Sequence, residues 1–278
     1  MYAALSNEKL VLAMQEAQKW PKISHDYRCP HCHKAVMLVL SETKAAFFRH
    51  VSQNTNLYGE KEEHHLLKMQ LTAALIALGY PARPEVPLAN GEIRADVLAN
   101  EKLAFEIQCA PLDDEEYRRR HQSYQSIHVQ DIWIVGHRHF LGKKFKASQI
   151  KYFRTNRQWG DYYLEGHLQE QVLYLKYNVQ LEPLRNRTRY CLAKFSLDEK
   201  GIERLWQFKP RLYAYRANIA VQKSYLREQI KRKTQWGLAI AQFLYEHRQT
   251  VDDLPDAVFT KWRRPYSRRS LRSEYFDE

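Results

Sequence analysis

Asp96, Glu106 and Gln108 fall within one short stretch, "EIRADVLANEKLAFEIQCA", residues 92–110. They interrupt two alternating segments that otherwise read as a β-hairpin. Ile93, Ala95 and Val97 share one face of the first segment, and Glu92, Arg94, Asp96 and Leu98 share the other. In the second, Leu103, Phe105 and Ile107 lie opposite Ala104, Glu106 and Gln108. A turn around Asn100-Glu101-Lys102 pairs residue 99 with 103, and so Asp96 with Glu106. Two carboxylates directly opposite on adjacent strands repel, so something must offset the pairing.

A second chemistry-bearing set lies upstream. Cys29 and Cys32 have the spacing of zinc ligands, and His50 follows at a suitable distance for a third. With four cysteines in 278 residues there is no disulfide framework. No apolar run approaches the ~20 residues of a membrane span, and the N-terminus lacks the basic-then-apolar order of a signal peptide. A cytoplasmic protein with no membrane partner is expected.

Several elements must position these residues. Residues 6–19 read as an amphipathic helix with Leu10, Ala13, Met14 and Ala17 on its buried stripe. Residues 27–50 read as a small β-ribbon around the Cys-x-x-Cys, and residues 53–59 as a linker. "EKEEHHLLKMQLTAALIALGYP" is a helix with Leu67, Leu71, Ala74 and Leu78 inward and Gly79 as its stop. Glu63 extends that stripe by a turn, while His64 and Lys68, four apart, share the adjacent face. Asn90-Gly91 marks a hairpin, Asp113 and Glu116 open a second helix with capping-box spacing, and "VQDIWIVG" is a strand. The order is helix, three strands, helix, strand.

Charge divides the chain. Residues 1–136 hold 15 Lys+Arg against 17 Asp+Glu, whereas residues 137–278 hold 29 against 15. Aromatic side chains are interspersed through the basic half, as in "KKFKASQIKYFR" and "KWRRPYSRRSLR". That mixture suits a polyanion with stackable bases, so DNA is the expected partner.

The pieces Gly59-Glu60, Glu63-His64, Lys68, Arg94-x-Asp96-Val97, Glu106-Ile107-Gln108, Tyr124 and "DIWIV" resemble the nuclease-like domain of the competence protein CoiA family, of the PD-(D/E)XK nuclease fold. The Cys-x-x-Cys followed by an aromatic-x-His is similar to that family's zinc-binding module. The resemblance implies an α/β core with Asp96 and Glu106 as ligands of Mg2+ or Mn2+. Carboxylates borne on opposed Cβ atoms ~4.5–5.5 Å apart can both reach one cation at ~2.1 Å, which removes their repulsion and acidifies a bound water.

By the same resemblance Glu63 holds the water from the helix side, and His64, Lys68 and Arg94 sit near the scissile phosphate. Gln108 stands where the wider fold has lysine; it can donate a hydrogen bond but carries no charge. Tyr124 is expected in the core. In the zinc module Phe47 stands where the family has a histidine. Phenylalanine cannot ligate, so His31 or His33 must substitute for Zn2+ to bind, or the thiols serve as packing.

The implied architecture is an N-terminal helix and zinc-ribbon-like module over 1–57, a nuclease-like domain over 58–140, and a mostly helical, basic DNA-binding region over 141–278. Arg263, Arg264, Arg268 and Arg269 are its expected phosphate contacts. The implied function is a metal-dependent DNA nuclease acting on single-stranded DNA in homologous recombination during natural transformation. The alternative is a non-catalytic DNA-binding accessory that partners a recombinase.

Overall fold

Asn7 and Glu8 both take left-handed backbone conformations, φ +48° and +62°, which a two-residue hairpin turn requires. The N-terminal segment is therefore a hairpin, not the expected helix over 6–19: β1 (Ala3–Ser6) pairs with β2 (Lys9–Leu12), and only Ala13–Ala17 is helical (α1). Leu10 and Met14, assigned to a buried stripe, are exposed. The computed structural model describes residues 2–19, 26–30, 33, 35–40, 45–50 and 60–265, and divides into two units, Met1–Leu57 and Tyr58–Glu278.

In the first unit β3 (Tyr27–Arg28), β4 (Ala35–Val39) and β5 (Phe47–His50) complete a sheet of order β2-β1-β3-β4-β5 around Ala4, Ala13, Tyr27, Cys29, Val36 and Phe48. Phe47 is the strand partner of Val39. Of the expected zinc ligands, Cys29 is buried, whereas Cys32, the substitute His31 and the side chain of His50 lie outside the described residues, as does the linker at 53–59.

The second unit opens with α2 (Glu60–Ala77). Its apolar stripe, Leu67, Leu71, Ala74 and Leu75, is buried against the sheet. The helix ends where Tyr80 N–H reaches Leu75 O, Gly79 N–H reaches Ile76 O and Gly79 adopts φ +81°, the paired bonds of a glycine C-cap. Then follow β6 (Ala82–Leu88), β7 (Ile93–Ala99), β8 (Leu103–Gln108), α3 (Asp114–Ser126) and β9 (Gln130–Val135). Asp113 caps α3 by accepting from the N–H groups of Glu115 and Glu116. The predicted order of helix, three strands, helix and strand is present.

The basic half is not mostly helical. β10 (Arg154–Asn156), β11 (Gly160–His167), β12 (Val172–Leu181) and β13 (Thr188–Ser196) extend the same sheet, giving the order β13-β12-β11-β9-β8-β7-β6 with β10 on β11. The period-2 pattern was present but diluted by charge: Leu173 and Leu175 enter the core that Leu67 and Leu71 share. Nor does residue 140 divide the unit, because β11 pairs in parallel with β9, Leu164 beside Ile134. A buried ion pair locks the junction: Lys176 Nζ lies 2.7 Å from Glu165 Oε1 and donates to Leu141 O, while Leu141 N–H donates back to Glu165. Helix α4 (Glu199–Gln207) covers the α2 face through Ile202 and Leu205. Helices α5 (Ile219–Lys231), α6 (Gln235–Glu246) and α7 (Asp256–Thr260) pack around Leu226, Ile240, Leu244 and Phe259. Among the described residues no helix is long and apolar enough to cross a membrane.

Two arginines expected on DNA are used inside the fold. Arg263 bridges Leu181 in an antiparallel contact and donates to Glu182 O and Arg185 O. Arg264 grips the buried Asp161 with two bonds of 2.9 and 2.6 Å. A fork on a buried carboxylate is a bidentate structural clamp. Arg268 and Arg269 lie outside the described residues. Arg264→Ala leaves the Asp161 carboxylate buried with its cation gone, so we expect a loss of about 1–2 kcal/mol. For a unit of this size that lowers the thermal midpoint by roughly 2–8 °C, measured by calorimetry without DNA; an unchanged midpoint would return Arg264 to the solvated surface.

Candidate nuclease-like site

Strict alternation along β7 breaks at Asp96. Ile93 and Ala95 pack with Tyr124 and Val129 on the α3 side, whereas Val97 and Ala99 pack with Leu67 and Leu71 on the α2 side. The expectation that Ile93, Ala95 and Val97 share one face is therefore corrected. Across from the break, between the pairs Pro84–Val97 and Val86–Ala95, Glu85 holds φ +54°. A left-handed glutamate costs about 1–2 kcal/mol, and two cations hold it: Lys68 Nζ is ion-paired to its carboxylate, and Arg94 lies at 3.7 Å.

The predicted register is correct as far as the ladder runs. Val97, Leu98 and Ala99 pair with Phe105, Ala104 and Leu103. Beyond that point the Asp96 side chain takes over, with Oδ2 accepting the Ile107 N–H at 2.8 Å. Its Oδ1 lies 3.1 Å from His64 Nε2. Helix α2 thus holds both residues of the break, His64 on Asp96 and, one turn later, Lys68 on Glu85. Lys68 is consequently buried in an ion pair and does not lie open to a phosphate. Arg94 is exposed.

Glu106 projects to the α3 side and is 1 % exposed. Its Oε1 accepts from Arg120 Nη2 at 2.7 Å and from the Tyr124 hydroxyl. Its Oε2 lies 2.6 Å from the same guanidinium nitrogen, so Arg120 holds both carboxyl oxygens. Arg120 and Tyr124, one turn apart on α3, were the missed pair: Tyr124 was read only as core, and Arg120 was not singled out. An inward Arg-x-x-x-Tyr on a helix facing an acidic strand was the available signal.

The two carboxyls are driven apart in acidity. Burial works against charge at Asp96, but His64, the Ile107 N–H and Arg120 outweigh it and hold the carboxyl below its usual range. At Glu106 burial dominates; Asp96 adds to it, Arg120 and Tyr124 oppose it, and the pKa is pushed up to about 8. Their surroundings thus push two neighbouring acids in opposite directions.

The remaining candidates lie at the carboxyl ends of the parallel strands β8 and β9. Glu63 is buried, and its Oε1 accepts from His137 N–H just past β9; a Cβ on Gly136 would come within 2.8 Å of its other oxygen. Its carboxylate is thus committed to the backbone after β9, a different place from the Asp96–His64 contact. Gln108 uses its amide on Ala110 O at 2.6 Å, so that donor is already taken. Cys109 is buried.

Among the described residues no three His, Cys, Asp or Glu side chains form a metal-holding group. The residues that would hold a divalent cation are Asp96 and Glu106, and both Glu106 oxygens are occupied by Arg120 here, so Glu106 could serve only with Arg120 displaced.

A mixed sheet, with α2 and α3 on its two sides and an acidic pair where β7 parts from β8, defines an α/β domain. The family model described as "Competence protein CoiA, nuclease-like domain" matches residues 60–207, more than half of the 278-residue chain, and the chain belongs to that family. The match runs through β13 and α4, in keeping with the undivided sheet. No curated protein and no solved structure matches the chain.

The raised Glu106 pKa has a signed consequence. Between about 4.5 and about 8 the folded protein keeps a proton that the unfolded chain has lost. Stability must therefore fall as pH rises through that window and level off above it. Glu106→Gln should remove this slope, so that the variant gains on the parent from pH 5 to pH 8.5 in urea midpoints. Parallel pH profiles would mean that Glu106 titrates as an ordinary carboxyl.

Proposed function

We propose that the protein is a metal-dependent deoxyribonuclease, acting in the cytoplasm on single-stranded DNA during homologous recombination in natural transformation. The observation that carries this reading is the pair itself: an ionised Asp96 beside a buried Glu106 whose carboxyl is held by Arg120 and Tyr124. Membership of a family with a nuclease-like domain supports it, as does the basic half of the chain. A divalent cation held by the pair supplies Lewis-acid stabilisation of phosphodiester charge and a more acidic water.

The protein's own residues do the rest. His64 and the Ile107 N–H fix Asp96 in its charged form. Tyr124 and Arg120 orient Glu106, which would serve as a cation ligand if Arg120 moved off its carboxyl. Gln108, released from Ala110 O, would turn its amide toward the phosphate as a neutral donor.

One observation favours a second reading, a non-catalytic DNA-binding accessory that partners a recombinase: Glu106 is almost wholly covered and already paired. The two readings separate in one assay, with labelled single- and double-stranded DNA incubated with Mg2+ or Mn2+ and with a chelator as control. The nuclease reading expects metal-dependent cleavage, lost by at least a hundredfold in Asp96→Ala and Glu106→Ala while DNA binding persists. Binding without cleavage by the parent would establish the accessory, and undiminished cleavage by either variant would remove the pair from the chemistry.

A further inference from the structure

The cations of the basic half divide into those used inside the fold and those left over. Arg263 and Arg264 are clamped, and Lys176 and Lys194 are ion-paired at 2.7 Å to Glu165 and Glu170. Between α4 and α5 the segment "FKPRLYAYRAN", residues 208–218, contains three cations and no acid. Lys209, Arg211 and Arg216 are exposed and, among the described residues, make no ion pair. The segment has no helix or strand of its own.

This strap is nevertheless fixed in place. Phe208 packs edge-on against Phe195 and Tyr177, with ring centres 5.3 and 5.4 Å away, and its carbonyl accepts from Trp159 Nε1 at 2.9 Å. Further on, Tyr213 O accepts from Asn178 Nδ2 at 2.8 Å. Asn178 is buried and left-handed, φ +51°, where the register of β12 on β13 shifts between Tyr177 and Gln180. A bulge of this kind re-aims a side chain; here it aims an amide at the strap. The Tyr213 hydroxyl accepts from the Cys191 thiol at 3.2 Å, and Tyr215 meets the ring edge-on at 5.6 Å. Tyr213 is thereby held at its backbone and at its tip, yet it is 57 % exposed. An immobilised ring left in water between unpaired cations adds nothing to the core.

We propose that the strap is a binding surface for single-stranded DNA, with Lys209, Arg211 and Arg216 neutralising backbone phosphates and a base stacking on Tyr213. Cations along an extended path with a stacking ring among them suit a strand whose bases are open. A duplex hides its base faces, and an acidic polypeptide would use the cations but not the ring. The inference rests on the DNA-handling reading above but not on cleavage. The full chain is titrated in chelator against a labelled single-stranded oligonucleotide over a range of salt. Lys209→Gln, Arg211→Gln and Arg216→Gln together should flatten the log–log salt slope by about 2, three contacts at ~0.7 each. The control triple Lys231→Gln, Lys233→Gln and Arg248→Gln, equal in charge, exposed and outside the strap, should flatten it by clearly less. Tyr213→Leu should weaken binding by about fivefold or more with the slope unchanged, because stacking releases no counterions. Tyr213→Phe, which loses the Cys191 bond but keeps the ring, should bind like the parent.

Equal flattening by both triples overturns the proposal, since that is long-range attraction by net charge. So does parental affinity in Tyr213→Leu. A loss in Tyr213→Phe equal to that in Tyr213→Leu overturns it as well, because the hydroxyl's hold on the strap, rather than the ring, would then be the cause. A duplex bound as tightly as the single strand removes the stacked base and overturns it too. Displacement of the oligonucleotide by poly-glutamate at equal charge would assign the strap to an acidic polypeptide instead. A parent that binds no oligonucleotide overturns the DNA-handling reading and the strap together; a parent that binds, with variants that bind equally, overturns the strap alone.

Discussion

The bond from Ile107 N–H to the Asp96 carboxylate is the point on which the site turns. It forms where the β7–β8 ladder stops, so a side chain replaces a backbone acceptor at the centre of the sheet. A buried N–H left without a partner would be costly, and Asp96 satisfies it only by remaining close to Glu106. The repulsion between the two acids is therefore built into the backbone hydrogen bonding of the fold. It is managed by moving Asp96 toward charge and Glu106 toward neutrality.

The surroundings of that bond follow from it. A strand that changes face at Asp96 can pack Ala95 toward α3 and Val97 toward α2 within three residues. The price is a left-handed Glu85 across the ladder. Helix α2 meets both residues of the break with one pair of side chains spaced by a turn, His64 on Asp96 and Lys68 on Glu85. On the other side α3 is held to β9 by Asp131, which accepts from Trp133 and Arg154 and contacts His121. That fixes the helix that carries Arg120 and Tyr124.

Much of this was legible in the sequence, and the limits have physical causes. The register of β7 on β8 followed from a three-residue turn and period-2 apolar residues. The extent of α2 followed from its stripe and from Gly79. The face exchange at Asp96 was hidden because small residues, Ala95 and Ala99, fit either side of a sheet. The hairpin at Asn7-Glu8 was missed because four apolar residues at helical spacing outweighed a turn with no glycine. Strands β11–β13 were masked by charged side chains that snorkel or pair, such as Lys176 on Glu165. Arginines in a basic run gave no sign of which would face inward; only the partner, Asp161, over a hundred positions earlier, decides it for Arg264.

That last contact has a meaning for the order in which the chain folds. Asp96, Ile107 and Glu106 lie within one hairpin, so the acidic pair can assemble from a local stretch as soon as β8 has formed. Asp161 and Arg264 close a loop of 103 residues, and long loops close late because their closure entropy comes first. The contacts around Asp96 and Ile107 are local in sequence, whereas the Asp161–Arg264 clamp ties a strand to the chain's far end, so the frame of the sheet depends on distant residues in a way that the acidic hairpin does not.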